Sequence, residues 1–239
     1  MVYNRAIARL RRYEVHALTP RLVKPADVEY PQGLRDLAPP PALLYVCGVV
    51  PKGGIAVVGS RTPPASAIPF AYELAKRAHE PIVSGLALGI DAAAHRGALA
   101  AGLPTIAYVG YGFGRTYPSQ HAELERAIVE NGGAVATERR PHAPVAPWAL
   151  VKRDRLQAAH AWAVVMVASE IDGGAMHTLR FARDLGRRRF ALSPPLGAQG
   201  DPAWGGNVRA LAEGAVALPH DPHEALRIIH AHRRIHIDD

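Results

Sequence analysis

The stretch I-A-V-V-G-S-R, which occupies residues 55–61, contains residue types that could bind a phosphate. Four apolar residues that run into Gly59 predict a buried strand ending in a tight turn, and a helical pattern follows after Pro64. A helix that starts just after a strand presents backbone N–H groups to an anion. Arg61 adds a guanidinium that can bind a phosphate through two hydrogen bonds. A glycine that only forms the turn and an arginine that only faces solvent would give the same pattern.

Three later segments repeat this arrangement, because each contains glycine and directly follows a predicted strand. They are Ser84-Gly85, Gly110-Tyr111-Gly112-Phe113-Gly114-Arg115 and Asp172-Gly173-Gly174. In an open parallel sheet the carboxyl ends of the strands lie at one edge, and ligands bind outside that edge. We therefore expect these segments and Gly59-Ser60-Arg61 to form one ligand site.

Basic side chains occur in the same parts of the chain, and aromatic residues lie among them. The cations are Arg61, Arg115, Arg139, Arg140, Lys152, Arg153 and Arg155. The rings are Tyr111, Phe113 and Tyr117. Such a mixture suits a single-stranded nucleic acid, since rings stack on bases while arginine binds phosphates. A solvated helix face would explain the cluster at residues 152–155 equally well.

Familiar catalytic and cofactor motifs are missing from the sequence. It contains neither G-x-x-x-x-G-K-[ST] nor G-x-S-x-G, and Gly110-x-Gly112-x-Gly114 has the wrong spacing and position for a dinucleotide site. Asp91 and His95 share one helix face, which would suit a metal or an acid–base pair. We favour a helix cap and a hydrogen bond from His95 to nearby backbone, because no third ligand has matching spacing. No catalytic residue, metal or cofactor is predicted.

Composition sets the broad class. The 239 residues carry 28 Lys and Arg against 21 Asp and Glu, and this charge of +7 suggests a polyanionic partner. The single Cys47 excludes an intramolecular disulfide. No apolar run is long enough to span a bilayer, so we expect a cytoplasmic protein that does not bind membranes.

From residue 55 onward, short apolar strands alternate with amphipathic helices, which predicts an α/β fold with a doubly wound, mostly parallel sheet and helices on both faces. The predicted strands are residues 55–59, 81–84, 105–109, 134–137, 163–168, 189–192 and 215–217. The predicted helices are residues 70–79, 92–101, 120–131, 148–160, 176–185, 208–213 and 223–233. Residues 1–50 are expected to form an N-terminal arm and a proline-rich connector, with one amphipathic helix near Ile7 and Leu10, and residues 221–239 a C-terminal helix and tail.

Together these pieces resemble the DprA/Smf family of DNA-processing proteins, from about Tyr30 to about Leu226. The longest matching block runs from Ile82 to His95 and reads I-V-S-G-L-A-x-G-I-D-x-x-A-H. Other matching pieces are I-A-V-V-G-S-R, Tyr117-Pro118, Glu138, Arg153-x-Arg155 and Gly205-x-Asn207.

The resemblance implies that residues 51–220 form an extended Rossmann-like domain that binds single-stranded DNA and has no catalytic activity. The family protects incoming DNA during natural transformation, loads the RecA recombinase and forms homodimers. The residues carried over are Gly59, Ser60, Arg61, Ser84, Gly85, Gly89, Asp91, Gly110, Gly112, Arg153 and Arg155. The strand-end and basic segments add Arg115, Lys152, Gly173 and Gly174 to the predicted nucleic-acid site.

Some positions depart from the family pattern. Asp154 replaces the asparagine of the usual R-N-R and puts a negative charge where DNA is expected, and Ala168 replaces an acidic residue. The chain also ends soon after the core, so a member without a C-terminal winged-helix domain is expected.

Two other functions stay open. Asp172-Gly173-Gly174 is reminiscent of the P-G-G-x-G-T-x-x-E motif of LOG-type nucleotide phosphoribohydrolases, but Phe181 stands third after Thr178, where that motif has its catalytic glutamate. Nucleotide hydrolysis is therefore disfavoured, while a nucleotide-binding sensor is not. The basic surface could also meet an acidic protein.

Overall fold

This computed structural model describes residues 19–198 and 200–234, and the helix predicted near Ile7 and Leu10 lies outside them. The described residues form one nine-stranded sheet in the order β1-β2-β6-β5-β4-β3-β7-β8-β9. The strands are β1 Arg21–Val23, β2 Leu44–Gly48, β3 Ile55–Val58, β4 Ile82–Ser84, β5 Thr105–Tyr108, β6 Ala134–Thr137, β7 Ala163–Met166, β8 Arg188–Leu192 and β9 Val216–Leu218.

Seven α-helices in the described residues connect or flank these strands. They are α1 Ala67–Lys76, α2 Ile90–Ala100, α3 Ala122–Glu130, α4 Pro147–His160, α5 Gly174–Asp184, α6 Gly205–Ala212 and α7 Pro222–Arg234. The predicted doubly wound α/β fold is confirmed, and the seven strands predicted from residue 55 onward are all present. Their bounds differ from the predicted ones by at most two residues, and the helices by at most three.

The sheet is parallel from β6 through β9, while β1 and β2 add two antiparallel strands beside β6. The chain moves outward from the central β3 to β6, then returns to place β7 on the other side of β3. The direction of winding therefore reverses between β3 and β7. In sheets of this kind, such a switch point opens a crevice at the carboxyl ends of the strands.

Both faces of the central strands are buried. In β3, Ala56 and Val58 pack into one core cluster, whereas Ile55 and Val57 pack into the cluster on the other face. Burial of one such aliphatic side chain contributes roughly 1.5–3 kcal/mol, which explains why these short strands read as continuous apolar runs. The core thus fixes where β3 and β7 end and where the turns that follow them lie.

Within the described residues, no helix has both the length and the apolar character needed to cross a bilayer.

Candidate nucleic-acid interface

A cavity of about 620 Å³ opens at the switch point, beyond the carboxyl ends of β3 and β7. Seven of the residues predicted to bind nucleic acid line it: Gly59, Ser60, Arg61, Asp91, Arg153, Gly173 and Gly174. A smaller cavity of about 70 Å³ adjoins it, shares Arg61 and Arg153, and is lined by Gly85 and Gly110. Strand-end segments that are far apart in sequence therefore do meet at one edge of the sheet.

The turn after β3 is held tightly at this edge. Gly59 has no room for a side chain, because a Cβ atom would lie 2.6 Å from Ile90 Cγ1 and 2.8 Å from the Ala168 carbonyl oxygen. The Ser60 backbone N–H donates to that same oxygen at 2.7 Å. The turn is thereby tied to the end of β7, and Arg61 is exposed at the rim of the cavity.

Arg153 is the inner cation of the cavity, and it is only 7% exposed. Its Nη1 donates to the Tyr108 carbonyl oxygen at 3.0 Å. Its Nη2 lies 3.7 Å from Asp91 Oδ2 and its Nε 3.1 Å from Asp154 Oδ1. A Cβ atom on Gly85 would overlap the guanidinium, so this glycine is required for the arginine to lie flat on the backbone after β4.

The two carboxylates beside Arg153 are themselves buried. Burial raises the pKa of Asp154 to about 7, with Arg153 opposing the shift and Asp91 adding to it. Burial also raises the pKa of Asp91, again against the attraction of Arg153. Asp154 therefore lines the cavity as a partner of Arg153, and its charge is sensitive to pH near neutrality.

Gln157, one turn further along α4, also lines the cavity, and the sequence did not single it out. Its Nε2 donates to Asp154 Oδ1 at 3.2 Å. Its Oε1 is buried and accepts no hydrogen bond from the described residues. The helical period, which places residues 153 and 157 on one face, is the signal that could have found it.

The N-terminus of α5 forms the opposite wall, where Gly173, Gly174 and Ala175 line the cavity. The partial positive charge of a helix N-terminus favours an anion there. Asn207 holds the turn before this helix, because its Oδ1 accepts from the Ser169 N–H at 3.0 Å and its Nδ2 donates to the carbonyl oxygens of Val167 and Leu192.

Three predicted residues, Ser84, Gly89 and Gly112, line neither cavity and serve the fold. Ser84 is fully buried and donates to the Val57 carbonyl oxygen at 2.7 Å. Gly89 has a φ of +72°, a backbone conformation that favours glycine, directly before α2. A side chain on Gly112 would overlap the Arg140 carbonyl oxygen, so Gly112 allows two loops to pack.

Five of the seven predicted cations line neither cavity: Arg115, Arg139, Arg140, Lys152 and Arg155. Arg115 is exposed beyond Gly114. Arg155 donates to Glu138 Oε1 at 2.6 Å, and Lys152 lies 3.3 Å from the same oxygen, on the side of α4 that faces away from the cavity. The predicted cluster at residues 152–155 is thus divided between two faces of one helix.

The idea that three rings accompany these cations is wrong for two of them. Tyr111 is 2% exposed and Phe113 is also buried, because both side chains pack into a core cluster beneath the loop after β5. Burial therefore excludes a role for Tyr111 and Phe113 in stacking on bases. Tyr117 is 42% exposed and lines both cavities.

Asp91 and His95 have separate partners. Asp91 Oδ2 accepts a hydrogen bond from the Ala87 N–H at 3.3 Å. His95 lies 2.8 Å from Thr105 Oγ1, which donates to the Ile82 carbonyl oxygen, so the partner is a hydroxyl and not the expected backbone group. Burial lowers the pKa of His95 to about 3. Among the described residues, no group of three or more His, Cys, Asp and Glu side chains is placed to hold a metal ion.

Comparisons with known proteins identify the family to which this chain is similar. Residues 21–228 match the model of a family described as DNA recombination-mediator protein A. Protein Smf of Escherichia coli is 34% identical over 212 residues, which are 84% of this chain and 55% of that protein. DNA processing protein DprA of Bacillus subtilis is 30% identical over 197 residues, which are 80% of this chain and 65% of that protein. The chain therefore spans between half and two thirds of the length of these relatives.

Solved structures show the same fold. The crystal structure of DprA from Streptococcus pneumoniae aligns with a TM-score of 0.78 at 27% identity, over 92% of this chain and 77% of that one. A structure of DNA processing protein A from Helicobacter pylori aligns with a TM-score of 0.76 at 22% identity. That structure is described as giving insight into the single-stranded DNA binding mode of the Helicobacter pylori protein. It covers 87% of this chain and 95% of that one.

Proposed function

Because the chain belongs to the family described as DNA recombination-mediator protein A, the DprA/Smf family of DNA processing, we propose that it binds single-stranded DNA at the cavity between β3 and β7. The proposal rests on one observation: Arg61, which is exposed, and the N-terminus of α5 line the same cavity. Both are phosphate-binding elements. The Helicobacter pylori protein of the same fold, whose single-stranded DNA binding mode has been studied, supports it.

The charge distribution favours phosphates at the rim of the cavity and not at its base. Arg153 already contacts Asp91, Asp154 and the Tyr108 carbonyl oxygen, so its charge is largely compensated. Arg61 is exposed and lines both cavities. A flexible strand can track such a rim, since its phosphates need no fixed helical geometry.

The experiment is an equilibrium binding titration with a labelled single strand of about 20 nucleotides, with and without unlabelled duplex competitor. Replacement of Arg61 by alanine should weaken binding about 10-fold, with little dependence on base sequence. Arg96→Ala is the matched control, because Arg96 is exposed on α2 and does not line the cavity. Equal affinity of the wild type and Arg61→Ala would contradict the site.

The partners of the whole family are part of the same proposal. We propose that the chain protects single strands in natural transformation, loads RecA on them and acts as a homodimer in the cytoplasm without enzymatic activity. Sedimentation equilibrium tests the homodimer, and the rate of RecA filament formation on strands bound by the chain tests the loading. Monomers at micromolar concentration would contradict the homodimer. A rate of RecA filament formation that the chain does not change would contradict the loading.

A second candidate, a nucleotide-binding sensor, rests on the size and lining of the cavity. Its volume of about 620 Å³ falls in the range of small-ligand pockets, and Asp91, Asp154 and Glu170 line it together with the N-terminus of α5. Incubation with nucleoside monophosphates followed by chromatography tests hydrolysis. Release of a free base would establish an enzyme, and binding without release would establish a sensor.

A further inference from the structure

Trp148 is an exposed aromatic residue in the first turn of α4, and 56% of its surface is accessible. The Arg139 guanidinium carbon lies over the ring, 4.6 Å from its centroid. Arg139 is held in turn by its Nη2, which donates to the Pro144 carbonyl oxygen at 3.3 Å. A cation over an exposed ring stabilises it, and more than half of the surface of Trp148 stays open to a second partner.

The surroundings of Trp148 are basic. Lys152 is one turn further along α4 on the same face, and Arg155 lies beyond it. Glu138, the carboxylate in this group, is shared by Lys152 and Arg155. We call Trp148, Lys152, Glu138 and Arg139 the Trp148 face.

We propose that the Trp148 face stacks a base of the single strand whose phosphates pass the rim of the cavity. The proposal rests on the proposed function, since it assigns a second contact to the same ligand. Cations beside an open ring are the combination that recognises a single strand without regard to sequence, and an apolar or acidic partner would not need both.

The two contacts are close enough for one strand. Pro147 and Val151 line the cavity, and Trp148 lies between them in the sequence of α4. An α-helix with its side chains is about 10–12 Å across, so the two faces of α4 are separated by a few nucleotides at most. The first turn of α4 would thus be a ridge over which the strand passes.

Fluorescence of the full chain tests the proposal, because the chain has three tryptophans with different positions. Trp204 is buried. Trp162 directly precedes β7, so it lies at the amino ends of the strands, whereas the cavity lies at their carboxyl ends. Trp162 is a matched control, since an arginine, Arg233, also lies over its ring at 5.2 Å. The ligands are an oligothymidylate of about 20 nucleotides and an abasic strand of the same length.

The oligothymidylate should quench the emission of the wild type and of Trp162→Phe, but not that of Trp148→Phe. Trp148→Ala should bind oligothymidylate about 5- to 100-fold more weakly, Trp148→Phe should retain most of the affinity, and the abasic strand should bind both variants like the wild type. Circular dichroism checks that each variant is folded.

An unchanged affinity of Trp148→Ala, or an equal loss on the abasic strand, would overturn the stacking role while the wild type still binds DNA. No binding of either strand by the wild type would instead overturn the proposed function and this inference with it.

Discussion

Arg61 and Arg153 line the same cavity but stand in opposite environments. Arg153 is buried, and its contacts to the Tyr108 carbonyl oxygen and to Asp91 link α4 to the end of β5 and to α2, while Asp154 is a partner on α4 itself. Arg61 is exposed on a turn that is itself fixed by backbone hydrogen bonds. The difference gives Arg153 a structural role in building the cavity and, under the proposed function, leaves Arg61 to contact the ligand. Residue type and proximity to the cavity do not separate these two roles, whereas burial and partners do.

The largest expected effect follows from removal of the buried arginine. Arg153→Ala leaves Asp91 and Asp154 without their cation, and loss of one partner of a buried ion pair costs about 3–5 kcal/mol. Urea unfolding measures this change in the free energy of unfolding. Lys152→Ala, the neighbouring residue, should cost no more than about 1 kcal/mol because its side chain is half exposed. Equal losses in the two variants would remove the structural role of Arg153.

A smaller loss in the free energy of unfolding is expected when Arg153 is kept but the backbone against which it packs is altered. Gly85→Ala introduces a methyl group where the guanidinium lies, and such overpacking typically costs about 1–3 kcal/mol. Gly174→Ala is the control, because a Cβ atom there meets no atom within 4 Å. The same unfolding experiment compares them. A Gly85→Ala variant as stable as Gly174→Ala would show that Arg153 is free to move.

The third effect concerns pH. Acidification from about pH 8 to about pH 6 protonates Asp154, whose pKa lies at about 7, and removes a negative charge from the cavity that is proposed to bind DNA. Affinity for single-stranded DNA should rise by about 2- to 5-fold, as expected for one charge acting over several ångströms in a partly hydrated site. Binding titrations at both pH values measure it.

Asp154→Asn is the control for this pH effect, since it should bind with nearly the same affinity at both values. A pH response that persists in Asp154→Asn would assign it to another group. The raised pKa also makes the free energy of unfolding depend on pH. Because the folded state binds the Asp154 proton more tightly than the unfolded state does, the stabilisation from this proton is present at low pH and is lost as pH rises from about 4 through about 7.

The smallest effect is expected at Arg155, whose guanidinium is paired with Glu138. Arg155→Ala should change DNA affinity by less than about 2-fold, because Arg155 contacts Glu138 and does not line the cavity. The titration used for Arg61→Ala measures this as well. A loss as large as that of Arg61→Ala would place the strand on Arg155 and reverse the assignment.

The sequence predicted the seven strands from residue 55 onward because the central ones are buried on both faces, but it did not predict β1 and β2. Runs such as Ile55–Val58 have few alternatives to a central parallel strand, and the glycines after them predicted where turns would meet. The sequence could also have predicted that the basic cluster at residues 152–155 is divided between two faces of α4, because residues two apart on a helix point about 200° apart.

The remaining features depend on contacts between distant parts of the chain. The overlap between the Gly85 position and Arg153 exists only once β4 and α4 are packed, and so does the burial of Tyr111 and Phe113. A loop sequence does not reveal whether its rings face the core or the solvent. Gln157 was missed because its uncharged side chain does not suggest phosphate binding by type, although its spacing from Arg153 places both on one face of α4.

The salt dependence of DNA binding tests the role of Arg61 most directly. The logarithm of the binding constant should fall linearly with the logarithm of salt concentration, and each lost phosphate contact should reduce the slope by about 0.7–0.9. Arg61→Ala should therefore show a slope that is shallower by about one contact, while Arg96→Ala keeps the wild-type slope. Identical slopes for the wild type and Arg61→Ala would contradict a phosphate contact at the mouth of the cavity.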